Sequence, residues 1–363
     1  MKYYLIAGEA SGDLHGANLM RALLRRDPQA QFRFWGGDRM QDVAGTPVRH
    51  IRDLAIMGFV EVLRNLPTVL GNLSFCRRDI LQYRPDAIIY IDYPGFNLKI
   101  AKWAHRQGFR NIHYISPQLW AWKKGRINAM RRDLDRLCYI LPFEQQFYAH
   151  NHLPQALYVG HPLLDAVAQY QCDNPCPGTP YIALLPGSRR QELDKVLPAM
   201  LRLAQRHPEY HFVIAAMSLI GPDFYRRYLG SAGNVSILYD QTYPLLAHAH
   251  AALVCSGTAT LETALFDVPQ VVCYSANALS VAIARRFVAD RVKYISLVNL
   301  IADAPVVTEL IQQDLNDERL ETEFLRIAAD NDTRETMRRQ YSRMRDILGG
   351  PGASDRTAAA ILS

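Results

Sequence analysis

Short apolar runs alternate with amphipathic stretches along almost the whole chain. In the first half, the apolar runs predict strands at 3–7, 31–35, 87–91, 111–115, 137–141 and 157–159. The amphipathic stretches between them predict helices at 13–26, 97–107, 124–134 and 143–151. The second half repeats the pattern, with strands predicted at 181–185, 211–215, 235–238, 251–255 and 270–274. From residue 307 onwards the pattern predicts helix alone, broken at 349–352 by Gly-Gly-Pro-Gly. Strands that alternate with helices predict parallel sheets.

The repeated pattern predicts an α/β protein with two Rossmann-like, parallel-sheet domains. Residues 169–180 are the predicted linker, because three Pro and one Gly fall between 171 and 180. We expect the N-terminal domain over 1–168, the second domain over 181–340 and a C-terminal helical segment over 341–363. In folds of this class ligands bind outside the carboxyl ends of the strands, here in a cleft that the two domains face.

Composition narrows the function classes. The 363 residues include 41 Lys and Arg against 35 Asp and Glu, a net charge of +6. This mild basic bias favours anionic substrates or an anionic membrane surface over nucleic acid. No apolar run approaches the ~18 residues of a membrane span, so membrane contact is expected to be peripheral. The six Cys lack metal-site spacing, and Cys138, Cys255 and Cys273 in strand-like runs are typical of small core residues in a reducing cytoplasm.

The first candidate site is the turn after the predicted strand 181–185. Gly187, Ser188 and Arg189 place backbone N–H groups, a hydroxyl and a guanidinium at the start of a predicted helix. Such an arrangement attracts a phosphate or diphosphate. Alternatively, this is an ordinary strand-to-helix turn with Ser188 as N-cap.

A second turn of small residues follows the predicted strand 251–255. Ser256, Gly257 and Thr258 open a helix, and Glu262 in its first turns is placed to reach the hydroxyls of a ribose. Alternatively, Glu262 only complements the helix dipole. Together the two turns favour a nucleoside diphosphate. A GxGxxG segment after the first strand and a Walker A motif are both missing from the sequence, which disfavours a dinucleotide and ATP hydrolysis.

The N-terminal half offers carboxylates at two strand ends. Glu9, Ser11 and Gly12 follow the first strand, and Asp13 beside them is interpreted as the N-cap of a helix starting at residue 14. Asp92 ends the buried-type strand 87–91, where a carboxylate is well placed as a general base. From position alone, Asp92 is equally well explained as a structural acceptor for the Pro-Gly turn that follows.

An apolar stripe at helical spacing runs between residues 56 and 73. This stripe predicts either a helix buried against the sheet or an interfacial segment that inserts partly into a lipid bilayer. The residues assigned to lipid or acyl-chain contact are Phe59, Val62, Leu63, Leu66, Val69 and Leu70.

A metal site is not predicted. Asp133 and Asp135 match the Asp-x-Asp string of metal-dependent sugar transferases. Arg131, Arg132 and Arg136 bracket them, so ion pairing explains the two carboxylates better.

Nine segments in order along the chain closely resemble lipid-A-disaccharide synthases. They are GEASGD (8–13), DLAIMGFVEVL (53–63), IDYPGFN (91–97), HYISPQLWAW (113–122), LPFE (141–144), GHPLLD (160–165), LLPGSRRQE (184–192), SGTATLE (256–262) and YISLVNL (294–300). The resemblance implies a glycosyltransferase-B fold and an inverting reaction without cofactor. The implied donor is UDP-2,3-diacylglucosamine and the implied acceptor is 2,3-diacylglucosamine 1-phosphate, which give the β-1,6-linked disaccharide 1-phosphate and UDP.

The resemblance also implies roles for the candidate residues. Arg189 with the 187–188 turn would stabilise the leaving UDP, Glu262 would hold the ribose, and Asn299 would lie near the nucleotide. Asp92 is the candidate base, with Glu9 as a further catalytic candidate and Ser11 and Gly12 on the acceptor side. The family often has a second Asp at the position of Gly95. Because this chain lacks that second carboxylate, the assignment of Asp92 as the base is strengthened.

Further implications concern location and assembly. The family resemblance implies an enzyme that is peripheral on the cytoplasmic face of the inner membrane, and it allows a homodimer with exchanged C-terminal segments. A UDP-sugar epimerase of the same fold is the alternative enzyme, and a nucleotide-sugar sensor is the non-enzymatic alternative.

Overall fold

The computed structural model of the protein describes residues 1–54, 66–120, 125–170, 180–229, 233–276 and 293–363. The chain forms two compact units. Unit 1 comprises residues 1–166 together with 351–363, and unit 2 comprises residues 167–350. The last thirteen residues therefore belong to the unit in which the chain begins.

Unit 1 is built on a seven-stranded parallel sheet with strand order β3-β2-β1-β4-β5-β6-β7. Its strands are β1 Lys2–Ala7, β2 Gln31–Gly36, β3 Arg49–His50, β4 Ala87–Ile91, β5 Asn111–Tyr114, β6 Arg136–Tyr139 and β7 Ala156–Tyr158. Its helices are α1 Ala10–Arg26, α2 Asp38–Ala44, α3 Ile51–Leu54, α4 Leu66–Tyr83, α5 Pro94–Arg106, α6 Arg126–Asp133 and α7 Glu144–His150. Helix α8, Pro162–Gln169, carries the chain from unit 1 into unit 2.

Unit 2 is built on a six-stranded parallel sheet with strand order β10-β9-β8-β11-β12-β13. Its strands are β8 Tyr181–Leu185, β9 His211–Ala216, β10 Val235–Tyr239, β11 Ala251–Cys255, β12 Gln270–Tyr274 and β13 Thr308–Ile311. Its helices are α9 Arg190–Arg206, α10 Pro222–Leu229, α11 Thr242–His248, α12 Thr258–Leu265, α13 Leu297–Ala302, α14 Asp317–Ala329 and α15 Asn331–Leu348, with a 3₁₀ turn at Gln312–Asp314.

The central strands are apolar along their whole length because helices cover both faces of each sheet. Every residue of β4, β8 and β11 is buried. Cys138, Cys255 and Cys273 are buried within these sheets, which confirms the prediction that they are core residues. The two parallel sheets also confirm the predicted fold class.

Each sheet has one point where the strand order reverses. In unit 1 the chain builds outward from β1 through β2 to β3, then returns to β4 on the other side of β1. In unit 2 the same reversal separates β8 from β11, with Leu185 paired to Val254. At such a point the loops leave neighbouring strands in opposite directions and open a crevice at the carboxyl ends.

The final helix, α16 (Ala353–Leu362), packs against α1 in unit 1. The Asp165 carboxylate accepts hydrogen bonds from the backbone N–H groups of Gly352, Ala353 and Ser354 at 2.5–3.1 Å. The Arg356 guanidinium donates to the Val159 carbonyl oxygen at 2.7 Å. The GHPLLD segment thus holds the beginning of the last helix.

Several sequence predictions of local structure are wrong, and one of them is the start of α5, at Pro94 instead of residue 97. Residues Thr308–Ile311 form a strand paired with β12, where helix alone is predicted. Helix α1 begins at Ala10 instead of residue 13. The short strand β3, paired with the end of β2, is missing from the predicted set.

Candidate active site

The first candidate turn of unit 1 lies at the reversal point, next to β4. Glu9 is the N-cap of α1 and is exposed. A Cβ added to Gly8 would lie 2.5 Å from the ring of Tyr93, so the turns after β1 and β4 touch. Burial and the nearby Glu9 carboxylate raise the pKa of Tyr93. Glu9, Ser11 and Gly12 therefore lie beside the turn that carries Asp92.

Asp92 is half-buried and lies immediately beyond β4. Asp92 and Tyr93 have φ angles of 44° and 49°, left-handed values that non-glycine residues seldom adopt. The Asn97 side chain stabilises this turn by donating to the Asp92 carbonyl oxygen at 2.7 Å, and it also reaches Ile6 O in β1 at 3.3 Å. Consecutive strained residues of this kind cluster at functional sites.

Asp13 has a different role from the one predicted. Its buried carboxylate accepts the backbone N–H groups of Gly37 at 2.6 Å and of Arg39 and Met40 at 3.1 Å. Asp13 therefore holds the beginning of α2, and it is not the N-cap of α1. The prediction fails because α1 starts three residues earlier than the sequence pattern indicates.

The first candidate turn of unit 2 leads from β8 into α9. Gly187 has a φ of +113°, which a residue with a side chain adopts only with strain. The N-cap of α9 is Arg189, so the alternative that Ser188 is the N-cap is wrong. The Glu192 carboxylate accepts the N–H groups of Ser188 at 3.1 Å and Arg189 at 3.3 Å. The Arg189 side chain is 63% exposed.

The second candidate turn of unit 2 lies beside the first, since β8 and β11 are hydrogen-bonded neighbours. Gly257 is the N-cap of α12, and Thr258 is its first residue. Ser256 Oγ donates to the Ile295 carbonyl oxygen at 3.1 Å. Glu262 is half-buried, and its Oε1 accepts a hydrogen bond from Tyr243 Oη at 3.2 Å. The pair of turns therefore occupies the reversal point of unit 2.

The side-chain amide of Asn299 is occupied by hydrogen bonds to other residues of unit 2. Asn299 is 1% exposed, and it exchanges hydrogen bonds of 2.9 Å with both the N–H and the C=O of Val307. Asn299 Nδ2 also donates to Glu309, whose carboxylate accepts the N–H groups of Ile295 and Ser296. The structure thus makes Asn299 a residue that positions α13 and the segment that receives Ser256, while direct nucleotide contact stays a prediction.

The apolar stripe is divided between core and surface. Leu73 is buried, Val69 packs on the same core, and Leu70 is 56% exposed. Leu66 begins α4. Phe59, Val62 and Leu63 lie outside the described residues. Across the described ranges, none of the helices is both long and apolar enough to span a membrane.

The Asp-x-Asp string is explained by pairing. Both Asp133 oxygens accept from Arg132, at 2.6 and 2.7 Å, and Asp135 accepts the N–H of Asn111 at 2.7 Å. This confirms the prediction for Asp133 that an arginine neutralises it. Within the described ranges, groups of three or more His, Cys, Asp or Glu side chains with metal-site geometry are absent.

Comparison with known proteins decides the family. The model of the lipid-A-disaccharide synthetase family matches residues 3–361. The chain belongs to this family. The lipid-A-disaccharide synthase of Geobacter sulfurreducens is 36% identical over 99% of this chain and 96% of its own length. That of Syntrophus aciditrophicus is 37% identical with the same coverage. The resemblance drawn from the nine segments is thereby confirmed.

Solved structures support the fold of this synthase family member. A UDP-GlcNAc 2-epimerase from Neisseria meningitidis, bound to UDP-GlcNAc, superposes with a TM-score of 0.69 at 14% identity over the full length of both chains. At this identity the likeness concerns the fold alone, which is the glycosyltransferase-B fold. Family membership makes the chain a glycosyltransferase of lipid A synthesis.

Sequence reasoning missed three residues that shape these turns. Asn97, Glu192 and Tyr243 each bind a candidate residue or its backbone. Asn97 and Glu192 fall inside the quoted segments, and that position is the signal that could have singled them out. Tyr243 lies nineteen residues before Glu262, and the sequence carries no mark that the two meet.

Proposed function

We propose that this protein transfers 2,3-diacylglucosamine from its UDP form to the 6-hydroxyl of 2,3-diacylglucosamine 1-phosphate. The products are the β-1,6-linked disaccharide 1-phosphate and UDP. The observation that carries this proposal is the match of one synthase family over residues 3–361. The placement of the candidate turns at the reversal point of each sheet supports it, because that is where ligands bind in such folds.

The proposed chemistry is a single inverting displacement. Asp92 takes the proton from the acceptor hydroxyl, and Glu9 in the touching turn assists on the acceptor side. Arg189 and the 187–188 turn stabilise the diphosphate as negative charge develops on it. Glu262 holds the ribose, with Tyr243 orienting its carboxylate. In this proposal fixed protein charge serves the leaving group, and a metal ion is not required.

Both proposed substrates carry acyl chains, so the proposal includes contact with a membrane surface. Leu70 and Leu81 on α4 are exposed, and their spacing of eleven residues puts them on one side of the helix. The exposed Arg78 on this helix would suit anionic headgroups. We place the protein peripherally on the cytoplasmic face of the inner membrane. A dimer with exchanged C-terminal segments remains a prediction of the family resemblance.

The test is UDP release from purified protein with both lipid substrates in mixed micelles. We expect UDP to accumulate only when donor and acceptor are both present, and a chelator to leave the rate unchanged. A β-linked disaccharide in the product establishes inversion. The fold likeness to an epimerase provides the rival. Conversion of the donor sugar without acceptor would favour that rival and contradict the proposal.

A further inference from the structure

The turn proposed to hold the diphosphate already contains an anion supplied by the chain. Glu192 lies in the first turn of α9, and its Oε2 accepts the N–H groups of Ser188 and Arg189 at 3.1 and 3.3 Å. These are N–H groups of the kind that binds phosphate at a helix N-terminus. A carboxylate and a diphosphate oxygen cannot both take the same two donors.

The turn is shaped around this carboxylate. A Cβ added to Gly187 would lie 2.7 Å from Glu192 Oε2 and 2.9 Å from Glu192 Cβ, so only the absence of a side chain leaves room. The same point is 3.5 Å from Cys255 Sγ, at the end of β11. The Glu192 side chain and the end of β11 therefore both lie against Gly187.

The Glu192 side chain is placed so that it can rotate away from the two N–H groups. This side chain is 30% exposed, and its approach to the Arg189 guanidinium is loose, with Nη1 and Oε1 separated by 3.7 Å. Rotation of the side chain would release two N–H groups and expose the positive end of α9. The Arg189 guanidinium would then have an anionic partner of higher charge in the diphosphate.

We propose that Glu192 is the resident anion of this turn, which the diphosphate of the substrate displaces, and that Glu192 thereby weakens the retention of UDP. The inference rests on the proposed function and makes Glu192 a competitor of the leaving group for the N–H groups of Ser188 and Arg189. Displacing one carboxylate removes part of the binding free energy of every diphosphate ligand, so the product leaves more readily.

The test is calorimetric titration of UDP and of uridine into the wild type, Glu192→Gln and Glu192→Ala. We expect both variants to bind UDP more tightly by about threefold to tenfold, the size of one charge at a helix N-terminus. Uridine affinity should stay unchanged because uridine has no phosphate to compete with the carboxylate. The gain for UDP should shrink at high salt, since screening weakens the repulsion that was removed.

Glu318→Gln is the matched control. Glu318 is also in the first turn of a helix of unit 2, is exposed, and loses the same charge. Unchanged UDP affinity in Glu192→Gln, or weaker binding in Glu192→Ala with no effect in Glu192→Gln, would overturn the inference and make Glu192 a helix cap alone. If the wild type binds no UDP, the proposed function fails together with it. If Glu192→Ala fails to fold, Glu192→Gln decides, because Gln keeps an acceptor for the two N–H groups.

Discussion

Asp92 is held in place by its backbone as much as by its neighbours. Two left-handed residues in succession turn the chain sharply at the end of β4, and Asn97 compensates by binding the carbonyl oxygen of the first. Such strain persists only where surrounding contacts hold it. The Asp92 carboxylate is therefore carried on a backbone with little freedom, as a base that must meet one hydroxyl requires.

Replacement of Asp92 by Asn tests the proposed base. The substitution keeps the size of the side chain and removes its ability to take a proton, so we expect kcat to fall by roughly 10²–10⁴. UDP affinity and the unfolding midpoint should remain those of the wild type. Asp42→Asn, on the exposed surface of α2, is the control for loss of charge in the same unit. Turnover near the wild-type rate in Asp92→Asn would exclude this residue as the base.

Tyr243 tests the proposed ribose contact. Tyr243→Phe removes one hydroxyl and with it the hydrogen bond to Glu262 Oε1. A bond of this kind contributes about 0.5–1.5 kcal/mol, so UDP and uridine should both bind roughly twofold to tenfold more weakly. Tyr239→Phe is the control, because it removes a tyrosine hydroxyl at the end of β10, outside the two turns. This variant should bind both ligands with wild-type affinity. Weaker binding of UDP alone would contradict a ribose role.

Residue types at strand ends could be read from the sequence, but their contacts could not. Small residues and carboxylates after a strand indicate a ligand turn whichever way the side chains point. That Glu192 turns back onto the N–H groups of Ser188 and Arg189, or that Asp13 reaches the next helix, depends on where a helix begins. Helix boundaries are set by tertiary contacts as well as by local pattern, so these roles emerged only from the structure.

At the scale of elements, a buried carboxylate, that of Asp165, holds the beginning of α16. Asp165→Asn replaces one acceptor oxygen with a donor that faces backbone N–H groups, so we expect a loss of about 1–3 kcal/mol in the free energy of unfolding. Asp355→Asn is the control on the same helix. It breaks only the exposed pair with Arg25 and should cost under about 1 kcal/mol. Urea unfolding monitored by fluorescence measures both, and equal losses would contradict the capping role.

The strands that sequence patterns missed share one property. β3 has two residues, and β13 has the sequence Thr-Glu-Leu-Ile, which suits a helix as well as a strand. Pairing with a neighbour makes each of them a strand, and pairing across the sheet is not a local signal. The long buried strands are different, because continuous apolar runs bounded by turns are typical of a covered parallel sheet.

At the scale of the whole molecule, the buried histidines are concentrated in unit 1. Burial lowers the pKa of His15 to about 4 and the pKa values of His113 and His161 to about 3, from an ordinary value of 6.5. Each is neutral when folded and takes a proton when unfolded below pH 6.5, so stability falls as the pH falls. Glu144 acts in the opposite sense. Burial raises the pKa of Glu144 to about 8. Its contribution to the free energy of unfolding is therefore present below pH 4.5 and is lost as the pH rises through 8.

Between pH 6.5 and 4.5 the three histidines outweigh the one carboxyl. Unfolding of unit 1 then takes up a net of nearly two protons, so its free energy of unfolding should fall by about 2–3 kcal/mol per pH unit. Trp35, Trp103 and Trp120 lie in unit 1, and the sequence has no Trp in residues 167–350, so tryptophan fluorescence reports unit 1. We expect its urea midpoint to drop with acidification more than the midpoint measured by far-UV circular dichroism. A fluorescence midpoint that does not change with pH would contradict neutral burial of these histidines.

The return of residues 351–363 to the first unit has a consequence for biosynthesis. During translation, residues 1–166 leave the ribosome before residues 167–350, and the helix that Asp165 holds follows both of these ranges in the chain. The N-terminal unit is therefore complete only after the second unit has been made, although domains usually fold in the order of their synthesis. Until residues 351–363 have been made, the nascent unit 1 exposes the apolar surface of α1 that α16 will cover.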